Sequence, residues 1–215
     1  MVARAPQRRR RDALLALGTL VLPLVLFAAL TAAAVYESAW DRGLQHVVAR
    51  HVPELGDLVE ELIPAAGASI AAAAVGFFAL TRRPQQALFW ALAVAGPFVL
   101  DPVLKDAIER PSPDASGYSF PSGHATLSFA VVMAAVLTAP SRWRPALVAA
   151  GLLFLIAYGG VIVESQVHYP SDVVGGWCIA CAWTGGLWLL IPRARRPSAR
   201  GPDASAAGES ADVPA

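Results

Sequence analysis

Residues 119–139 read SFPSGHATLSFAVVMAAVLTA, so that a short segment with glycine and histidine runs directly into an apolar stretch. The stretch from Ala125 onward is shorter than the ~17 residues that a membrane-spanning helix needs. It reaches that length if the helix begins at Pro121 or Ser122. The sequence therefore predicts a helix with His124 in its first turn, at the point where an apolar helix meets water.

The composition of the chain is that of a membrane protein. Hydrophobic residues make up 56% of its 215 residues, and charged residues make up 15%, below the roughly 25% that is usual in soluble domains. Six apolar runs follow one another, most of them near the ~20 residues that cross a bilayer. We predict an all-α, polytopic bundle of about six transmembrane helices. The runs comprise residues 13–36, 62–81, 87–103, 125–139, 145–163 and 173–191.

Arginine clusters alternate with these runs and orient the bundle. Short cytoplasmic loops hold the excess of arginine and lysine, and the clusters all fall on one side of the predicted helices. We therefore expect a multi-pass protein of the cell membrane with both termini in the cytoplasm. The opposite, extracytoplasmic face receives residues 37–61, 105–120 and 164–171. The clusters are Arg8–Arg11, Arg82 and Arg83, Arg142 and Arg144, and Arg193, Arg195 and Arg196.

Three segments make up the predicted domain organisation. Residues 1–12 form a basic cytoplasmic N-terminus, residues 13–193 a membrane domain, and residues 194–215 a disordered cytoplasmic tail rich in small and polar residues. A cleaved signal peptide is the alternative for the start. The first apolar stretch is longer than the ~7 to 15 residues of a signal core, which favours an uncleaved anchor.

Other polar features of the sequence are assigned no chemistry. Residues 37–61 mix apolar and charged residues at roughly helical spacing, so we expect them on the outer surface, with His46 and His51 at the membrane interface. Cys178 and Cys181 lie inside the last apolar run, where packing is the expected role. Since topology accounts for most of the arginines, no nucleic-acid partner is expected. The oligomeric state is left open.

A second polar motif, VHYPSDV at residues 167–173, opens the last apolar run. It places His168 and Asp172 four residues apart, at the same predicted face as His124. Lys105 also lies at this face and is the only lysine of the chain. A lysine that snorkels at a helix end is the alternative interpretation. Together these residues favour a phosphate-handling site.

These motifs resemble those of the type 2 phosphatidic acid phosphatase family, which shares its site with the vanadium haloperoxidases. The family motifs read Lys-x6-Arg-Pro, Pro-Ser-Gly-His and Ser-Arg-x5-His-x3-Asp. The second is complete at residues 121–124, and the third keeps His168 and Asp172. The resemblance implies a six-helix membrane bundle with a phosphatase-type site facing away from the cytoplasm.

The resemblance also implies the roles of the catalytic residues. His168 would attack phosphorus to form a phosphohistidine, and His124 would protonate the leaving group. Asp172 would fix the tautomer of His168, as carboxylates do in related catalytic units. Neither a metal nor another cofactor is expected.

Four residues are expected to bind the phosphate of a lipid such as phosphatidate, phosphatidylglycerol phosphate or a polyprenyl diphosphate. A helix N-terminus suits an anion, and cations suit the oxygens of a transferring phosphoryl group. The expected phosphate ligands are Lys105, Arg110, Ser122 and Gly123.

Two arginines of the family are absent in register, since Ser112 and Ile162 occupy their positions. Losing one such donor typically costs about 10² to 10³ in rate. Two functions therefore stay open: a lipid phosphatase with an altered set of cations, and a weakened phosphatase-like membrane protein that binds lipid phosphate.

Two further interpretations are disfavoured. Glu164, His168, Asp172 and His124 could form a metal site only if one helix continued from Glu164 to Asp172, and Pro170 should instead begin a new helix. A transporter would place its polar residues at the membrane midplane, whereas these motifs gather at one interface.

Overall fold

The computed structural model describes residues 14, 16–35, 39–52 and 56–191. Within these residues the fold consists of helices, and the regions expected as a basic N-terminus (1–12) and a tail (194–215) lie outside them. A π-helical turn, Leu17–Val21, leads into the first α-helix. The α-helices are α1 (Leu22–Val35), α2 (Ala39–His51), α3 (Gly56–Leu80), α4 (Pro84–Ile108), α5 (Gly123–Thr138), α6 (Arg144–Glu164) and α7 (Pro170–Leu190).

Five of these helices are long and apolar enough to cross a membrane. The remaining predicted span, the fourth along the chain, is α5, which is helical over only 16 residues. Its neighbours cover it, whereas the outer helices expose large apolar side chains such as Leu22, Phe98 and Leu153. The prediction of an all-α, multi-pass membrane protein is confirmed. The candidate spans are Leu17–Ala34, Glu61–Leu80, Pro84–Ile108, Arg144–Glu164 and Pro170–Leu190.

The helices alternate in direction, so that several termini meet at one end of the bundle. α3, α5 and α7 begin there, and α4 and α6 end there. We call this the site end. The turns between α3 and α4 and between α5 and α6 lie at the opposite end and contain Arg82, Arg83 and Arg142, and Arg144 begins α6 there.

Helix α4 extends beyond the apolar run that predicted it. The run ends at Val103, but α4 continues to Ile108 and includes Lys105 in its last turn. Lys105 therefore lies on a helix and not, as the sequence indicated, in the loop. The residue that follows the helix, Glu109, has a left-handed conformation (φ 53°). Arg110 cannot easily continue it, because a residue before proline disfavours the α conformation.

The two histidine motifs meet because α5 and α7 approach each other closely. A Cβ atom on Gly176 of α7 would lie 2.6 Å from the Ser122 carbonyl oxygen and 2.9 Å from Thr126 Oγ1. This contact therefore requires glycine. The Ser122 amide donates a hydrogen bond of 3.0 Å to the Asp172 carbonyl, which joins the first turns of the two helices.

Of the segment predicted to be interfacial (37–61), residues 39–51 form α2, which packs its polar face inward, and residues 56–61 belong instead to α3. Asp41 and Gln45 are buried on that face, whereas Trp40, Leu44 and Val47 are exposed. Exposed apolar residues on a short amphipathic helix are typical of a helix that lies in the membrane interface. The inward polar face contacts the site end of the bundle.

Candidate active site

A pocket of about 260 Å³ opens at the site end, between α3, α4 and α5. Its polar wall brings together two motifs that are distant in sequence and a segment of α4. Its apolar wall includes Phe98, whose side chain is largely exposed. The polar lining residues are Asp101, Lys105, Gly123, His124 and His168, and the apolar ones are Pro64, Pro97, Phe98 and Leu127.

His124 and His168 face each other across this pocket. Their ring centroids are 6.3 Å apart, and the ring planes meet at 71°. His124 lies in the first turn of α5, as the sequence predicts, and His168 lies two residues before α7. This separation allows one phosphoryl group to contact both imidazoles.

Asp172 lies behind His168 and is fully buried. Pro170 begins α7, so Asp172 occupies the third helical position, and its Oδ2 accepts a hydrogen bond of 2.7 Å from the Tyr169 amide. The same oxygen lies 3.6 Å from His168 Nδ1. This distance is longer than a hydrogen bond, and such contacts often tighten only when substrate binds. The contact leaves Nε2 as the nitrogen available for attack.

Ser122 and Gly123 take different positions at the start of α5. Ser122 is buried and does not line the pocket, and its Oγ caps the helix by accepting a bond of 3.4 Å from the Ala125 amide. Gly123 lines the pocket. Its amide precedes the first bonded turn and therefore has no carbonyl acceptor within the helix. Of the two, Gly123 has the geometry of an anion ligand.

Arg110, predicted as a phosphate ligand, is instead held outside the pocket by two buried carboxylates. Its Nη1 donates to Asp172 Oδ1 at 2.5 Å, and its Nη2 donates to Asp41 Oδ2 at 2.7 Å. The guanidinium also lies 4.1 Å from the centre of the Tyr169 ring. Since each acidic partner is almost fully buried, the cation neutralises two charges that water cannot reach. The geometry therefore fits Arg110 for orienting Asp172.

Asp41 is a residue that the sequence reasoning missed. Its Oδ1 accepts from the Ser171 amide at 3.1 Å, and its Oδ2 accepts from the Ser171 hydroxyl. It thereby fastens α2 to the first turn of α7. The available signal was the four-residue spacing of Asp41 and Gln45, which puts these two polar residues on one face of the helix.

The two positions at which family arginines are absent serve the structure. Ser112 Oγ donates to Asp114 Oδ1 at 2.6 Å and accepts from the Gly117 amide. The hydroxyl of Ser112, followed by the bonds from Ser116, lowers the pKa of Asp114. Ile162 is fully buried in an apolar cluster with Ala125 and Val173. The residues that line the pocket include one lysine, Lys105, and no arginine.

The alternative metal site does not form. Within the described residues, no three histidine, cysteine or acidic side chains are grouped to hold a metal ion. Glu164 ends α6, and a separate helix starts at Pro170, so the four-residue spacing does not continue along one helix.

Comparison with known proteins agrees with the motifs. Residues 94–196 match the model of the PAP2 superfamily. The matched segment is a little less than half of the chain. It includes α5, α6, α7 and every polar residue of the pocket's wall.

Two similar proteins extend this comparison. An undecaprenyl-diphosphatase of Sulfolobus acidocaldarius is 35% identical over 80 residues, which are 37% of this chain and 36% of that protein. The chain thus matches about a third of the length of this curated relative. The crystal structure of a transmembrane PAP2 type phosphatidylglycerolphosphate phosphatase from Bacillus subtilis superposes with a TM-score of 0.61 at 22% identity. The alignment covers 78% of this chain and 92% of that one, and it confirms the fold.

Proposed function

We propose that this protein hydrolyses a phosphate monoester or diphosphate of a lipid through a phosphohistidine intermediate. The observation that supports this most directly is the single pocket lined by His124, His168 and Lys105. The apolar wall formed by Pro97, Phe98 and Leu127 would accept the hydrocarbon next to the phosphate. Phosphate chemistry and lipid contact would then occur in one pocket.

In the proposed reaction, Nε2 of His168 attacks phosphorus as the bond from phosphorus to the leaving oxygen breaks. His124 donates a proton to that oxygen, a task for which an imidazole is suited. Water then attacks the phosphohistidine, and His124 takes up one of its protons. Phosphate leaves, and both histidines return to their starting states. Asp172 stabilises the charge on His168 throughout.

Electrostatic stabilisation of the transferring group would come from Lys105 and from the Gly123 amide at the N-terminus of α5. Arg110 does not line the pocket and acts by holding Asp172 in place. Ser122 acts by capping α5 and does not contact the phosphate. The proposed site therefore contains fewer cations than the family motifs specify.

A phosphate-binding protein without turnover is the second candidate. The observation that favours it is the packing of Ser112 and Ile162, which supply no charge to the pocket. Lys105 also forms an ion pair with Asp101. The two candidates predict the same ligand and differ in whether phosphate is released.

A phosphate-release panel separates these candidates. Protein purified in detergent is incubated with phosphatidate, phosphatidylglycerol phosphate or undecaprenyl diphosphate, with and without a chelator. We expect release from at least one lipid, and the chelator arm reports on any metal requirement. Binding of vanadate without release from any lipid would favour the second candidate.

We also propose that the pocket lies on the extracytoplasmic side of the plasma membrane, with both termini in the cytoplasm. The arginines at the opposite end of the bundle support this orientation. Reporter fusions after Glu109 should be active only in an exported form, whereas fusions after Arg83 should behave as cytoplasmic. Reversal of both results would place the pocket in the cytoplasm.

A further inference from the structure

Asp101 is an acidic residue in the pocket that the proposed mechanism does not use. It lies on α4, one turn before Lys105, and its Oδ2 is 3.2 Å from Lys105 Nζ. A Cβ atom on Gly123 would lie 2.9 Å from Asp101 Cγ. The carboxylate therefore lies against the start of α5, beside the proposed phosphate position, and glycine at position 123 makes room for it.

One oxygen of this carboxylate has no donor. Oδ1 of Asp101 is buried, and it accepts no hydrogen bond from the described part of the chain. A buried acceptor without a partner is costly and rare in folded proteins. A ligand that brings a hydrogen-bond donor into the pocket would satisfy it.

The charges of the pocket decide which form of a phosphate can supply that donor. Lys105 and Asp101 carry opposite charges, and the other titratable residues that line the pocket are His124 and His168. A fully ionised anion beside Asp101 would be repelled by the carboxylate. An anion that retains a proton can instead donate it in a hydrogen bond to Oδ1 while Lys105 contacts its other oxygens.

We propose that Asp101 is a specificity-determining residue that selects phosphate groups bearing a P–OH, accepting the hydrogen bond of that group on Oδ1. The inference rests on the proposed phosphate site and specifies the protonation state of its ligand. The second ionisation of a phosphate monoester occurs near pH 6. A lipid monoester would therefore bind in its singly charged form.

Competition between phosphate and sulfate tests this selection without requiring turnover. Inorganic phosphate retains a proton near neutral pH, whereas sulfate has the same shape and none. Protonated histidines would attract both anions, so the ratio of the two dissociation constants isolates the hydrogen bond. The full-length protein in detergent should bind phosphate at least about tenfold more tightly than sulfate, as expected when a hydrogen bond to a charged group is lost. Equal binding of the two anions by the wild type would overturn the proposal before any variant is made.

The matched variants are Asp101→Asn and Asp106→Asn, which remove the same charge from neighbouring turns of α4. Asp106 is exposed and does not line the pocket. Asp101→Asn should reduce the preference for phosphate to about twofold or less, because an amide can also donate to sulfate, whereas Asp106→Asn should retain the preference. If Asp101→Asn strengthens the binding of both anions equally, Asp101 only neutralises Lys105 and the proposal is wrong.

Micelles of phosphatidate, compared with micelles of phosphatidylcholine, distinguish a lipid headgroup from free phosphate as the source of the ligand. Displacement of bound phosphate by phosphatidate alone supports selection of a lipid phosphate, and it should weaken in Asp101→Asn. Retention of phosphate in both kinds of micelle supports selection of the free anion. If the wild type binds no phosphate at all, the proposed function is contradicted as well. If it binds phosphate and sulfate equally, only the proposed selectivity is contradicted.

Discussion

Phosphate release should fall by roughly 10⁴-fold or more in His168→Ala, the scale on which loss of an attacking residue acts. His168 is buried beside Asp172, whose Oδ2 lies 3.6 Å from His168 Nδ1. A covalent route has no substitute nucleophile there. The measurement is release of phosphate from the lipid that the wild type prefers, with folding checked by the elution profile in detergent.

His46→Ala is the matched control, because His46 is exposed on α2 and does not line the pocket. It should leave phosphate release unchanged. Asp172→Asn should retain slight activity, since it disturbs the orientation of His168 without removing the attacking nitrogen. Equal rates for the wild type and His168→Ala would falsify the phosphohistidine route in this protein.

Arg110→Gln should destabilise the folded protein by about 3 to 5 kcal/mol, as breaking a buried ion pair does. The substitution leaves Asp41 and Asp172 buried without the cation that neutralises both. Release of phosphate should fall as well, because Asp172 loses the bond that fixes its Oδ1. Unfolding of the protein in detergent by heat or by denaturant measures the loss of stability.

A double-mutant cycle tests whether the two carboxylates share this cation. Asp41→Asn in the Arg110→Gln background should recover part of the lost stability, since one uncompensated charge is removed. The control is Arg50→Gln, at an exposed arginine of α2, and its effect should be within about 0.5 kcal/mol. Strict additivity of the Asp41 and Arg110 substitutions would contradict the shared network.

Local signals account for the part of the site that could be predicted. The apolar run after Ala125 and the glycine and histidine before it place His124 in a first helical turn, and Pro170 places the start of α7 beside His168. Helix length, capping and the position of proline depend on neighbouring residues. They can therefore be read without knowing how the helices pack.

The positions and contacts of Arg110 and Asp101 could not be predicted in this way. Arg110 has an arginine's usual affinity for phosphate, but α2 brings Asp41, 69 positions away in sequence, within 2.7 Å of it. Asp101 was treated as part of an apolar run that ended at Val103, although α4 continues to Ile108 and turns the carboxylate toward Gly123. Both outcomes depend on the rotation of one helix against another.

The sequence by itself determined that this is a helical membrane protein with two histidine motifs at helix termini, because apolar length and local helix signals are properties of short segments. The tertiary structure alone decided which charges enter the pocket. It turns Arg110 toward Asp41 and Asp172, and it leaves Lys105 with Asp101 beside the start of α5. The physical reason is that ion pairing in a water-poor interior depends on distances of a few ångströms between side chains, and helix packing sets those distances.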